Sequence, residues 1–210
     1  MTLDGNWARR WVELSATSMA ENRTELIHLD RNIGDGDHGE NMDRGFQAAL
    51  GKLSSLDADA TPADVLKLLA TTLISTVGGA AGPLYGTAFL KGAVALKGKP
   101  ELEPGDVAAF VEAASAGLQQ RGKAQPGDKT MVDAWAPAAS AASKAAAAGD
   151  DGVAVLRAAA FAAVEGAAAT EPLVARKGRA SYLGERSAGH RDPGAQSTAY
   201  LLGAAVEAAS

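Results

Sequence analysis

Apolar residues recur along the chain at intervals of three and four, which is the spacing of one face of an α-helix. Trp7, Trp11 and Leu14 begin such a face near the N-terminus, and Leu26 and Ile33 continue it. No stretch shows the sustained alternation of apolar and polar residues that is typical of a half-buried strand. The pattern therefore predicts an all-α protein.

Capping residues help to set the bounds of the predicted helices. The sequence Thr61-Pro62-Ala63-Asp64, for example, is typical of a helix start, because threonine caps and proline fits the first turn. Eight helices are predicted, at residues 6–29, 38–53, 62–77, 87–96, 105–120, 131–148, 152–169 and 193–208. Helices of similar length joined by short turns favour an antiparallel up-and-down bundle or barrel, here as one domain spanning residues 1–210.

Alternate turns of such a bundle lie at the same end of it. The turns after the first, third, fifth and seventh helices are the unusual ones, since they are rich in glycine and most carry several charges. They comprise residues 30–39, 78–82, 121–130 and 176–194. We therefore expect the chemistry of this protein to collect on one rim.

The first of these turns indicates a metal site. Asp30, Asp35 and Asp37 are crowded between glycines, and carboxylates this close repel one another unless a cation neutralises them. Oxygen ligands suit a hard ion such as Mg²⁺; two carboxylates would hold one ion, and three could share two. The spacing fits neither an EF-hand nor a dinucleotide-binding fingerprint. The alternative is a polar turn in which Asp37 merely caps the next helix.

The other turns could bind phosphate. Residues 38–41 begin a helix, whose free amides and positive dipole end favour an anion, and His38 could donate to a phosphate oxygen. Glycines 78, 79 and 82 could bring bare backbone to a phosphate, or simply form a tight turn. Met131 could pack on a nucleotide base or in the core. Asp128 and Lys129 would brace the rim.

The fourth turn concentrates basic side chains in an otherwise acidic protein. Five arginines and lysines lie within residues 176–194, and arginine suits phosphate oxygens. This long, glycine-containing segment fits a lid over a ligand, whereas the alternative is a solvated loop. Carboxylates, helix N-termini and arginines together indicate phosphoryl transfer.

The composition limits the partners, cross-links and cellular location that we expect for this protein. The formal net charge is −5 and no basic stripe appears, so nucleic acid is excluded as a partner. The chain lacks cysteine, which excludes disulfides. We expect no signal peptide and no membrane-spanning segment, because the N-terminus lacks a basic and apolar leader and no run of 18 apolar residues occurs. A cytoplasmic location is expected.

Four motifs, in order along nearly the whole chain, resemble the nucleotide-binding L subunit (DhaL) of phosphotransferase-system-dependent dihydroxyacetone kinases. The first motif is Leu29-Asp30-Arg31-Asn32-Ile33-Gly34-Asp35-Gly36-Asp37-His38-Gly39 with Asn41-Met42, and the second is Gly78-Gly79-Ala80-Ala81-Gly82-Pro83-Leu84-Tyr85-Gly86-Thr87. The third is Arg121-Gly122-Lys123-Ala124 with Pro126-Gly127-Asp128-Lys129-Thr130-Met131. The fourth is Ala175-Arg176-Lys177-Gly178-Arg179 through Arg186, which His190 and Asp192-Pro193-Gly194-Ala195 follow.

The resemblance implies a barrel of eight antiparallel helices with ADP as a tightly bound cofactor at one end. It implies that Asp30, Asp35 and Asp37 coordinate two Mg²⁺ ions that bridge to the diphosphate. The implied nucleotide-binding residues are His38, Gly39, Glu40, Asn41, Gly79, Ala80, Ala81, Gly122, Met131, Arg179, Asp192, Pro193 and Gly194.

The resemblance also implies the reaction and its partners. A phosphohistidine subunit (DhaM) phosphorylates the bound ADP, and the phosphoryl group passes to dihydroxyacetone held by a separate subunit (DhaK). The nucleotide carries the phosphoryl group, so no catalytic residue of this chain is implied. Gly36 and Ala81 stand where the family often has alanine and serine, so a hydroxyl contact to phosphate would be lost at Ala81. The alternatives are a subunit of an ATP-dependent small-ketose kinase and a non-catalytic nucleotide-binding module.

Overall fold

The computed structural model describes residues 2–210, which form nine α-helices and two 3-10 helices. The α-helices are α1 (Gly5–Glu21), α2 (Arg23–Ile33), α3 (His38–Lys52), α4 (Pro62–Thr76), α5 (Ala81–Ala95), α6 (Pro104–Gly122), α7 (Val132–Ala147), α8 (Gly152–Ala169) and α9 (Pro193–Ala208). The 3-10 helices are Leu53–Ser55 and Arg179–Ser187. These residues contain one isolated β-bridge and no β-strand, which confirms the all-α prediction.

Eight of the α-helices close into a ring. Each helix from α3 to α8 packs against the next along the chain, α9 packs against α1, and α1 packs against α3. The remaining helix, α2, lies against α3, α9 and the 3-10 helix Arg179–Ser187. The predicted barrel of eight helices is therefore confirmed, with α2 as an addition beside the ring.

Aromatic rings fill the interior of the barrel. The Trp11 ring is central: its centroid lies 5.3 Å from that of Trp7, 5.8 Å from Phe89 and 5.6 Å from Phe110. The indole N–H groups of Trp7 and Trp11 donate to backbone carbonyls of α9, at 3.0 Å and 2.7 Å. These bonds satisfy the buried polar ends of both rings and hold α1 against α9, so the ring is closed by its first and last helices.

Two predicted helix bounds are wrong. The helix predicted at residues 6–29 is broken at Asn22, whose backbone N–H and side-chain amide both donate to the carbonyl of Ser18. The helix predicted to begin at Thr87 begins at Ala81 instead, because Pro83 falls in its first turn, where a missing N–H costs nothing. The resulting α2 carries Asp30, and the longer α5 begins at the predicted glycine-rich turn.

By length and composition, α8 could cross a membrane, and it is the one such helix found within residues 2–210. Its composition is dominated by alanine. In the structure α8 packs between α7 and α9, and Val155, Leu156, Ala159 and Ala163 are buried in the core. The place of α8 in the ring therefore accounts for its buried face, whereas Phe161 and Val164 of the same helix are exposed.

The segment that joins α8 to α9, residues 170–192, is more ordered than the predicted loop. It contains the 3-10 helix Arg179–Ser187, and Ala175 and Ala180 pack with Ile33 of α2 in a small core separate from the barrel interior. The hydroxyl of Ser187 accepts from the backbone N–H of Ala175 at 2.8 Å. The α8–α9 segment is thereby held against α2 at one end of the barrel.

Candidate functional site

The four unusual turns line one cleft at one end of the barrel, as their alternation along the chain predicts. We call this the rim cleft. It is bounded by the turn between α2 and α3, the turn before α5, the turn before α7 and the α8–α9 segment. Its lining residues are Asp30, Ile33, Gly34, Asp35, Asp37, His38, Asn41, Gly78, Gly79, Ala80, Ala81, Leu84, Lys129, Thr130, Met131, Lys177, Gly178, Arg179, Ala180, Asp192, Pro193 and Gly194.

Three carboxylates converge in the rim cleft. Asp30, Asp35 and Asp37 each offer one oxygen, and these oxygens all lie within 4.8 Å of one another. Asp30 is buried at the end of α2, and burial raises the pKa of its carboxyl, with Asp35 and Asp37 raising it further. A divalent cation would relieve this repulsion, and the all-oxygen donor set fits Mg²⁺.

The position of Asp30 is fixed from both sides. One of its oxygens accepts from the backbone N–H groups of Asp37 and His38, at 2.8 Å and 3.2 Å, so it satisfies amides at the start of α3. A Cβ at Gly34 would lie 2.1 Å from the other oxygen. Glycine is therefore required at position 34 for the carboxylate to occupy this place. The carboxylate of Asp37 makes no capping bond to α3 within the described residues, contrary to the helix-cap alternative.

Arg179 joins the α8–α9 segment to the carboxylate group. Its guanidinium lies 3.0 Å from the Asp35 carboxylate, and both side chains are partly exposed. The pair links two parts of the rim cleft whose residues are 144 positions apart in the sequence. A cation that bound Asp35 and an anion that bound Arg179 would therefore lie side by side.

Two helices present their N-termini to the rim cleft. Neither α3 nor α5 has a side-chain bond from its own N-cap residue. Asp30 accepts from the amides of Asp37 and His38 at the start of α3, so the remaining amides of that first turn, and those of the first turn of α5, are available to an anion. The start of α9 differs, because the Asp192 carboxylate accepts from the N–H of Ala195 at 2.8 Å. Burial raises the pKa of the Asp192 carboxyl to about 7. The free first-turn amides of α3 and α5 therefore offer the phosphate-type sites.

A buried network of hydroxyl groups lies behind the carboxylates. The Nε2 atom of His38 lies 2.9 Å from the Ser197 hydroxyl, which lies 2.7 Å from the Tyr85 hydroxyl. Tyr85 also donates to the carbonyl of Gly194 at 2.8 Å. Burial lowers the pKa of His38 to about 4 and raises that of Tyr85. The imidazole is therefore neutral at pH 7, and its ring is oriented by α9.

A second, more apolar pocket continues from the rim cleft between α5, α6 and α7. It has a volume of about 430 Å³ and shares Leu84 and Met131 with the rim cleft. Pro83, Leu118 and Gly122 form its other walls. A cleft of carboxylates and free amides that opens into an apolar pocket can hold a ligand with one anionic and one flat apolar end.

Most of the predicted site residues lie together, and three do not line the rim cleft. Gly122 lines the adjoining apolar pocket instead. Gly39 faces α2, where an added Cβ would lie 2.2 Å from the carbonyl of Arg23, and Glu40 is exposed beside it. The lining residues that were not predicted as contacts are Ile33, Gly34, Leu84, Lys129, Thr130, Lys177, Gly178 and Ala180. All except Leu84, which is one turn into α5, lie in or beside the four turns, so proximity to the motifs could have identified them.

Comparisons with a family model and with known relatives agree on the family of this chain. The model of the DAK2 domain family matches residues 32–207. The chain is 42% identical over 207 residues to the PEP-dependent dihydroxyacetone kinase 1 ADP-binding subunit DhaL of Listeria innocua, covering 99% of this chain and 98% of that protein. It is 41% identical to the corresponding Escherichia coli subunit, covering 94% of this chain and 91% of that protein.

A solved structure shares the fold. The dihydroxyacetone kinase from C. freundii in complex with AMP-PNP and Mg²⁺ matches 99% of this chain with a TM-score of 0.71 and 25% sequence identity. This chain spans 34% of that longer chain. From the domain match, and from the identity to DhaL subunits over nearly their whole length, the chain belongs to the DAK2 domain family and, within it, to the DhaL subunits.

Proposed function

We propose that this chain is the nucleotide-carrying subunit of a phosphoenolpyruvate-dependent dihydroxyacetone kinase and that the rim cleft holds ADP with two Mg²⁺ ions. The observation that carries the proposal is the convergence of Asp30, Asp35 and Asp37, with oxygens within 4.8 Å of one another, beside two helix N-termini that keep free first-turn amides. Metal ions under a diphosphate need such a group of carboxylates, whereas a polar turn does not.

Each part of the cleft has a distinct role in this proposal. Asp30, Asp35 and Asp37 hold the metal ions. The first-turn amides of α3 that follow His38, and the first turn of α5, with Ala80 and Ala81, donate to the phosphates. Because Ala81 has no hydroxyl, the amides of α5 carry this contact alone.

The apolar pocket receives the base. Met131 offers its thioether to one side of the ring, and Gly122 leaves room beside it. Arg179 and residues 192–194 line the rim cleft, with Gly194 beside Met131. The base and the diphosphate would then be held by different turns of the same rim.

When bound, ADP would supply the chemistry by relaying a phosphoryl group from a phosphohistidine subunit of the DhaM type to dihydroxyacetone on a subunit of the DhaK type, and Mg²⁺ held by the three aspartates would neutralise the phosphate charge. The residues of the chain itself bind and orient the nucleotide and screen it from solvent. Its neutral, buried His38 can present a hydrogen bond without adding charge. Residues 1–210 would act as one domain in the cytoplasm.

The first test identifies what the protein carries. The chain is purified without added nucleotide and denatured, and the released small molecules and metals are quantified. We expect about one ADP per chain together with magnesium, because a cofactor that is not exchanged survives purification. An empty protein, or one that exchanges freely with ATP, would favour an ATP-dependent ketose kinase.

The second test separates catalysis from binding. The loaded chain is incubated with subunits of the DhaM and DhaK types, phosphoenolpyruvate and dihydroxyacetone, and formation of dihydroxyacetone phosphate is measured. Product that depends on every component supports the proposal. Bound ADP with no transfer under these conditions would support a non-catalytic nucleotide-binding module.

A further inference from the structure

Lys129 is the most deeply buried charged side chain of the rim. It lies in the turn before α7 and is 1% exposed. Its backbone has a φ of 63°, in the left-handed region that non-glycine residues seldom adopt. A buried ammonium group and an unusual backbone conformation are both costly, so the surrounding contacts must compensate for them.

The ammonium group of Lys129 is saturated by backbone carbonyls. Its Nζ atom donates to the carbonyl of Thr170 at 2.7 Å, to that of Glu171 at 3.2 Å, and to that of His190. An ammonium has three N–H donors, and three acceptors account for all of them. Although Lys129 lines the rim cleft, it therefore has no donor left for a phosphate oxygen.

The three carbonyls lie at the two ends of the α8–α9 segment. Thr170 and Glu171 follow the last residue of α8, where unpaired carbonyls and the negative end of the helix dipole favour a cation. His190 lies two residues before Asp192, which caps α9. One side chain from a different turn thus ties the beginning of the segment to its end, which offsets part of the entropy cost of closing the loop.

Further hydrogen bonds depend on the same junction. The backbone N–H of Asp192 donates to the Thr170 hydroxyl at 2.9 Å, and that of Gly189 donates to the carbonyl of Glu171 at 2.8 Å. Asp192, Glu171 and Asp133 supply negative charge near the ammonium, while burial lowers the pKa of Lys129. Removing the ammonium would leave the carbonyl of His190 without a donor and would take one of two donors from the carbonyls of Thr170 and Glu171. It would also leave negative charges without a neighbouring cation.

We propose that Lys129 is a positioning residue of the rim cleft, which sets the α8–α9 segment and hence Arg179 and Asp192 for nucleotide binding without touching the phosphates itself. The inference rests on the proposed nucleotide function for its consequence, but its structural part, the closure of the segment, is independent of any ligand. It assigns an indirect role to a cation that could otherwise be mistaken for a phosphate ligand.

The structural part is tested by hydrogen exchange on the full chain without nucleotide. Lys129→Met keeps the length of the side chain and removes its charge and donors. Lys144→Met, at an exposed position of α7, is the matched control. We expect amide exchange within residues 170–192 to accelerate about tenfold or more in Lys129→Met, with exchange in α4, α5 and α6 unchanged. The control should exchange as the wild type does.

The functional part is tested by comparing two ligands that differ in phosphate. Binding of ADP with Mg²⁺ and binding of adenosine are each measured by competition against a fluorescent nucleotide. A displaced segment moves Arg179 and disturbs the wall of the apolar pocket, so both affinities should fall, that of ADP by about tenfold or more. A loss confined to ADP, with exchange in residues 170–192 unchanged, would mean that Lys129 contacts phosphate directly and would overturn the positioning role.

The remaining outcomes are also decisive. Unchanged exchange in residues 170–192, or an equal increase in every helix, would overturn the proposal, because Lys129 would then be inert or would support the fold as a whole. Should Lys129→Met fail to fold by circular dichroism, Lys129→Gln retains two donors, and failure of both variants counts against a local role. A wild type that binds no ADP would refute the proposed function, while exchange would still decide the role of Lys129.

Discussion

At the scale of single residues, the site depends on the absence of a side chain at a glycine as much as on the carboxylates themselves. Glycine at position 34 leaves room for the Asp30 carboxylate, and Asp30 in turn satisfies two amides at the start of α3. The spacing of the three aspartates was enough to predict that they converge, because a short turn between two helices leaves few alternatives. The residue types alone indicated the chemistry.

Contacts between distant turns could not be predicted in the same way. The pairing of Arg179 with Asp35 joins residues that are far apart in the sequence. The partners of Lys129 are backbone carbonyls, which every residue has. The sequence indicated that both residues lie at the rim, but periodicity and motifs contain no information on such pairs. These contacts form because the closed ring brings the turns together.

Arg179 gives a prediction at this scale. Substituting Arg179→Gln should weaken ADP binding about tenfold or more, because a charge-assisted hydrogen bond to phosphate is lost. Arg186→Gln changes another exposed arginine of the same 3-10 helix that does not line the cleft. Isothermal titration with Mg²⁺ present measures both variants, and equal affinities would mean that Arg179 does not contact the nucleotide.

At the scale of elements, two helix bounds show what periodicity cannot detect. The apolar pattern runs on through Asn22, so the break between α1 and α2 leaves no gap in it. The Gly82-Pro83 pair resembles a turn, yet proline is compatible with the first turn of a helix, and α5 begins there. In both cases local hydrogen bonding set the boundary, while the existence and order of the eight ring helices followed from the sequence.

Two glycines of α3 give a prediction about how this helix is positioned. Gly39 faces the carbonyl of Arg23 in α2, whereas an added Cβ at Gly51 would meet nothing within 4 Å. Gly39→Ala should destabilise the protein by about 1–3 kcal/mol, because the overpacked contact pushes α3 from α2. Gly51→Ala should stabilise it by about 0.5–1 kcal/mol, because alanine favours the helix.

Chemical denaturation of the nucleotide-free protein measures both changes as differences in the free energy of unfolding. Opposite signs for the two substitutions are expected, although each adds the same methyl group to the same helix. Equal effects would show that the close approach of α3 to α2 does not position the start of α3.

At the scale of the whole molecule, the closed ring explains why four distant motifs act together. Neighbouring helices alternate in direction, so every second turn reaches the same rim, and the aromatic core around Trp11 keeps the ring closed. This arrangement was predictable from the number and length of the helices. The extra helix α2 and the order within the α8–α9 segment were not, since both depend on packing outside the ring.

The central claim is that three carboxylates hold Mg²⁺ beneath a diphosphate, and thermal unfolding of nucleotide-stripped protein tests it most directly. At ADP near 100 times its dissociation constant, with Mg²⁺, we expect the melting temperature of the wild type to rise by about 5–10 °C. Asp35→Asn should abolish the part of this rise that requires Mg²⁺, whereas Asp43→Asn, within α3 and outside the cleft lining, should retain it. A full Mg²⁺-dependent rise in Asp35→Asn would contradict the account.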